Sequence, residues 1–213
     1  ADANKVVTQV RHKLDALSNT LPKGVRIEPF YDRGALVGQA VYTVGKALAE
    51  AIVLVLVLLL LFLGQLRAAV VVAIVLPLSA LTTFWLMRQT GLTANLMSLG
   101  GLAIAIGMLV DSAVVVVENI EAKLAHPAHP EHSGGVGQLI RFIKAGAEEV
   151  AKPVASGVLI IMLVFLPLLT LEGLEGKLFK PVALTILYAM GASLVLSLTV
   201  IPVLASLMLK TGA

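Results

Sequence analysis

Two carboxylates stand in this chain where an apolar sequence has no ordinary use for them. The stretch Met97–Asn119 reads MSLGGLAIAIGMLVDSAVVVVEN, and Asp111 and Glu118 are its ionisable members. A separation of seven residues is nearly two helical turns, so on a helix the two side chains share one face, about 10.5 Å apart along the axis. In the apolar part of a membrane span an ionisable side chain costs about 2.5–3.5 kcal/mol on insertion scales. It persists there when it faces a partner or a wet cavity. Taking a carboxylate out of water favours its protonated form, and a group poised between the two forms can carry protons reversibly. Asp111 is the central candidate for that role. Glu118, closer to the helix end, is an accessory one. The bland alternatives are a static interhelical bond for Asp111 and an interfacial position for Glu118. Ser112 and Asn119 either extend the carboxylates into a polar network or bond locally.

The other residue types with chemical reach are histidine and methionine. His126, His129 and His132 have metal-like spacing but alternate with Pro127 and Pro130 in a loop-like segment, so a solvated loop is expected. The chain has no cysteine, which removes disulfides and thiolate metal sites. Met97 and Met190 lie in apolar stretches and are candidate soft ligands for a monovalent metal ion, though methionine is also ordinary core filler.

The elements that hold these residues follow from where charge is missing. Residues 51–66, 68–87, 89–110, 153–171 and 181–209 carry no Asp, Glu, Lys or Arg. A hydrocarbon core about 30 Å thick takes roughly 20 apolar residues at 1.5 Å each. Membrane-spanning helices are therefore expected at about 47–63, 68–87, 97–119, 154–172 and 183–208. Helices are the natural spanning form because they satisfy their own backbone hydrogen bonds. The span holding the carboxylates is rich in Gly100, Gly101, Ala103, Ala105, Gly107 and Ala113. Gly101-xxx-Ala105 and Ala103-xxx-Gly107 permit close backbone approach, so this span is expected in the interior of a helix bundle. Pro77, Pro167 and Pro202 fall inside expected spans, where each is either a hinge or a static kink.

Outside the spans, Val6–Leu17 has helical apolar spacing, Leu21-Pro22-Lys23-Gly24 is a turn signal, and Val25–Tyr31 alternates like a strand. Gly34–Lys46 leads helically into the first span. Segment 121–152 is polar, with a surface helix expected over Val136–Val150. The remaining connections, Gly64–Arg67, Arg88–Asn95 and Gly173–Lys180, are expected to be tight. The division is thus 1–46, a soluble αβ piece and lead-in; 47–120, three spans; 121–152, a polar loop; and 153–213, two spans. The fold class is an all-α membrane protein of five transmembrane helices with a short N-terminal αβ piece.

Composition agrees. Of 213 residues 58% are hydrophobic and 14% charged, against about 25% charged in soluble domains, and the mean hydropathy is +0.96. The 16 basic residues form no patch, so nucleic acid is not an expected partner despite the net charge of +3. The opening residues are polar and amphipathic, so no signal peptide is expected there, and the chain is expected to be a piece of something longer. The positive-inside rule does not orient it. Arg67, Lys123, Arg141, Lys144, Lys152 and Lys210 fall on one side, and Arg33, Lys46, Arg88, Lys177 and Lys180 on the other.

At Gly100–Asn119 a family comes into view. GGLAIAIGMLVDSAVVVVEN resembles the fourth transmembrane helix of resistance–nodulation–division (RND) exporters, and most of all their heavy-metal-efflux branch, which includes copper/silver and cobalt–zinc–cadmium pumps. FYDRGALV, LFLGQLRAA, LEGLEGKLFKPVA and IPVLASLMLK resemble that family's motifs in the same order. The resemblance implies spans two to six of a twelve-span protomer, with residues 1–46 periplasmic and 121–152 cytoplasmic. It also implies an inner-membrane homotrimer joined to a periplasmic adaptor and an outer-membrane channel. Asp111 matches the family's central proton-relay aspartate, and Glu118 the glutamate of its Glu-Asn ending. No resident cofactor is implied: the proton-motive force drives the cycle and the metal ion is cargo. The drug-exporting branch carries two adjacent aspartates where this chain has Asp111-Ser112. Divalent-metal pumps usually carry a further aspartate where this chain has Ala105. These departures lean toward the copper/silver type or an unassigned metal type. The expectation is a proton-driven heavy-metal antiporter and not an enzyme. The alternatives are an RND exporter of organic amphiphiles and a non-transporting helical scaffold.

Overall fold

Charge-free apolar sequence becomes helix almost without exception. The computed structural model describes residues 3–18, 20–22, 27, 33–63, 66–125 and 136–208. Its α-helices are α1 (Ala3–Ser18), α2 (Arg33–Leu63), α3 (Leu66–Gln89), α4 (Leu96–Ala125), α5 (Val136–Phe165) and α6 (Gly173–Met208), with a turn of 3-10 helix at Leu166–Leu169. Among the described residues there is no strand. The strand expected over Val25–Tyr31 lies, except for Ile27, outside them. So do His126, His129 and His132. Helices α2 to α6 are each long and apolar enough to cross a membrane, and the protein is a multi-pass membrane protein.

The helices outrun the expected spans in instructive ways. The lead-in and the first span are one helix, α2. The expected surface helix at Val136–Val150 and the following span are likewise one helix, α5, which passes through Pro153. Proline removes a single donor, and in α5 the rest of the ladder carries on. Pro167 is not inside an α-helix. It stands in the first positions of the 3-10 turn, where a missing N–H is cheapest. The expected connection Gly173–Lys180 is already the first turns of α6, so the loop shrinks to Thr170–Glu172.

The core is centred on α4, which packs against α2, α3, α5 and α6, so its expected place inside the bundle holds. Leu99, Leu102, Leu109 and Ile120 of α4 are buried with Leu76 and Val72 of α3 and Ile186 and Ile201 of α6. α5 is peripheral: Ile143, Gly146 and Ala147 are its buried residues, and none follows them. Its exposed Leu159, Ile160, Leu163 and Val164 suit an apolar solvent.

Candidate functional site on helix α4

Helix α4 is fixed at its start by three hydrogen bonds, two of them reciprocal. The Asn95 Oδ1 accepts from the backbone N–H groups of Met97 and Ser98 at 2.9 and 3.0 Å. The Ser98 Oγ in turn accepts from the Asn95 N–H at 2.9 Å. This is a capping box, satisfying donors that the helix itself cannot. Just upstream, α3 closes with Gly91 at φ 71° and a hydrogen bond from Leu92 N–H to the Met87 carbonyl at 2.8 Å, a Schellman-type ending that calls for glycine. The short turn between them makes α3 and α4 antiparallel neighbours.

Along its length α4 is pinned to α6. A Cβ on Gly101 would stand 2.7 Å from the Val182 carbonyl oxygen, so the backbones meet there because Gly101 has no side chain. Eleven residues further on both helices, the Ser112 and Ser193 hydroxyls lie 3.1 Å apart. Equal steps on both helices mean that α4 and α6 run parallel and in register. The Ser193 Oγ also lies 3.1 Å from the Leu109 carbonyl oxygen, to which it can donate. Ser112 is therefore part of the α4–α6 seam. At the far end Asn119 Nδ2 donates to the Gly146 carbonyl of α5 at 2.7 Å and to Glu149 Oε2 at 3.3 Å. Lys123 Nζ reaches the same Glu149 oxygen at 2.9 Å. Gly146 makes this crossing close, since a Cβ there would meet the Ile120 Cα at 2.9 Å.

What these contacts leave over is a single stripe. Apart from Leu96 at its start, the exposed residues described on α4 are Met97, Gly100, Ile104, Gly107, Asp111, Val115, Glu118 and Ala122, and steps of three and four make these eight one face of a helix. Asp111 and Glu118 share that face, as their spacing required. Interior burial was expected for both, and within this chain neither has it: no described element covers the stripe. The reason lies in the packing. Three neighbouring helices and the serine seam occupy the rest of the circumference, and the remaining arc carries the carboxylates. Ala105 is fully buried. Six residues from Asp111 is about 240° around the helix, so a carboxylate there would not join the stripe.

The methionines are not brought together. Met97 begins the exposed stripe, while Met190 is 3% exposed in the core. Among the described residues no group of three or more His, Cys, Asp or Glu is placed to hold a metal ion. The sequence reading passed over Ser193, although a serine four residues before Ser197 in an apolar helix was a visible signal. It also passed over the Lys123–Glu149 pair, which depends on how α4 and α5 cross.

A model of the AcrB/AcrD/AcrF family matches residues 1–213. The chain is 42% identical over 203 residues to the cobalt-zinc-cadmium resistance protein CzcA of Cupriavidus metallidurans, covering 94% of this chain and 19% of that protein. It is 39% identical over 205 residues to the cation efflux system protein CusA of Escherichia coli K12, covering 95% and 20%. Its fold matches the crystal structure of a heavy metal efflux pump with a TM-score of 0.73 and 38% identity, over 95% of this chain and 19% of that one. The chain thus spans about a fifth of the length of the relatives it matches.

Proposed function

The chain belongs to the AcrB/AcrD/AcrF family, and from that premise we propose that it is a membrane-embedded part of a proton-driven heavy-metal cation efflux pump. The observation that carries this reading is Asp111, a carboxylate in the middle of a helix apolar enough to span a bilayer, on the one stripe of α4 that the described helices leave open. A membrane carboxylate on such a face is available to a proton from an aqueous path and to a partner from another part of the protomer. Glu118, two turns along the same stripe, is the accessory group. The cargo is a metal ion, in line with relatives named for cobalt, zinc and cadmium and for cation efflux. Within that class we favour copper or silver, because Ala105 and Ser112 stand where other branches carry aspartate. Met97 and Met190 would then act as separate soft contacts, since their surroundings differ. The pump works as an inner-membrane homotrimer with a periplasmic adaptor and an outer-membrane channel, powered by the proton-motive force, without a resident cofactor.

The test uses the full-length parent in bacteria lacking their own exporters, comparing wild type with Asp111→Asn at matched expression. Growth is scored against silver, copper, zinc, cobalt, nickel and a panel of dyes. Metal protection that the Asn variant loses is the expected result, and the protected ions name the cargo. Protection against dyes alone would move the protein to the exporters of organic amphiphiles. Full protection by the Asn variant would make Asp111 structural.

A further inference from the structure

Hydroxyls on these helices close on carbonyls almost as a rule. Thr82 and Thr83 donate to the carbonyls of Leu78 and Ser79, Thr185 to Pro181, Thr199 to Val195 and Ser206 to Val203. Ser79 of α3 and Ser197 of α6 break the rule. Both are 0% exposed, and neither Oγ has a hydrogen-bond partner among the described residues. A buried hydroxyl left unpaired costs about 1–3 kcal/mol, and hydrocarbon offers it nothing. This chain's own helices already enclose both groups, so another helix cannot reach them. Whatever satisfies them is small.

The register of α3 and α6 brings the two serines to neighbouring levels. Since α3 is antiparallel to α4 and α4 runs parallel to α6, α3 and α6 are antiparallel. Thr185 Oγ1 lies 4.0 Å from Met87 Sδ, which ties the two helices together at one level. Ser79 is eight residues before Met87 and Ser193 eight after Thr185, each about 12 Å from that tie. Ser79 is therefore level with the Ser193–Ser112 pair, and Ser197 lies about 6 Å further along. Pro77 and Pro202 add to the polarity, because each lacks the N–H that would pair the carbonyl four residues earlier. Those carbonyls belong to Ala73 and Leu198, which on the same register lie within about 3 Å of the level of Ser197. A site that is polar, enclosed and supplied with several partners is what a buried water needs.

We propose that the α3–α6 seam binds ordered water at Ser79 and Ser197, forming a hydration site built into the interior of the bundle. The water pairs with each hydroxyl at levels near those where prolines have thinned the backbone ladders. It is separate from the carboxylate stripe, because α4 stands between them: Ser112 faces the seam and Asp111 the open face. The proposal therefore does not depend on Asp111 carrying protons.

The test is a water-resolving structure of the full-length parent, joined to thermal unfolding of Ser79→Ala, Ser197→Ala and the double variant. Water density within hydrogen-bonding distance of each Oγ atom is expected. Each alanine should lower the unfolding midpoint, and the double variant should lower it further. Metal resistance should keep its pH profile. A seam without density at either Oγ, or alanine variants as stable as the parent or more so, would overturn the proposal, since removing an orphaned hydroxyl is neutral or favourable.

Discussion

Gly101→Ala adds one methyl group to the tightest crossing in the bundle, and its consequence can be worked out in advance. The new Cβ would lie 2.7 Å from the Val182 carbonyl oxygen, 3.0 Å from its Cα and 3.3 Å from its carbonyl carbon. All three are backbone atoms, so no side chain can swing aside. Ordinary contact begins near 3.4 Å, so the helices must part by about 0.7 Å at this point. Overpacking of this kind costs about 1–3 kcal/mol. Against it stands a gain of about 0.5–1 kcal/mol for replacing glycine by alanine within a helix. Gly157→Ala is the internal reference: it takes the same gain on α5, where a Cβ meets nothing within 4 Å. Subtracting one variant from the other cancels the propensity and leaves the overlap, so Gly101→Ala should be less stable than Gly157→Ala by about 1–3 kcal/mol. The assay is reversible unfolding of the full-length parent in mixed micelles, with both variants and wild type run together. Equal stabilisation by the two alanines would refute the reasoning, because it would mean that α4 and α6 do not touch at Val182.

Three further outcomes follow from the geometry. Asn95→Ala should cost about 0.5–2 kcal/mol by removing the acceptor for two backbone donors, while Asn95→Asp should retain most of the stability; both are read in the same unfolding assay. The Lys123–Glu149 pair is 43% and 54% exposed, so Glu149→Gln should change stability by no more than about 1 kcal/mol, and less at high salt. A large, salt-independent loss would show that the pair is enclosed in the assembled protein. Gly91→Val should destabilise the α3–α4 turn by about 1–2 kcal/mol, because φ 71° is a conformation that a branched residue resists; normal folding and proteolytic resistance of the loop would count against this.

The carboxylate stripe was legible from spacing, since a helical period puts Asp111 and Glu118 on one face whatever surrounds them. So were the apolar spans, which need only the absence of charge. The direction of the stripe was not legible, because it depends on which sides of α4 its neighbours take. The small residues told a similar story. Six of them suggested close packing, yet only the assembled helices single out Gly101, while Gly100 beside it faces open space. Helix ends were misjudged where charge was read as the edge of a span. Lys152 and Lys177 sit inside helices, because a backbone ladder need not stop where the side chains turn from apolar to charged. Ser193 was missed because a serine in a span, even with Ser197 four residues on, does not show which group it meets until α6 lies beside Leu109.

The continuity of α5 has a mechanical meaning. A helix of 30 residues is about 45 Å long, and this one crosses α4 most closely at Gly146, where Asn119 grips its backbone. That crossing is a fulcrum set about one third of the way along a stiff rod. The short arm carries Arg141 and Lys144, and the long arm runs from Gly146 to Phe165 over about 28 Å. A rotation of about 10° at the fulcrum would sweep the far tip through about 5 Å. A small displacement of the short arm would therefore arrive magnified at the opposite end of the rod.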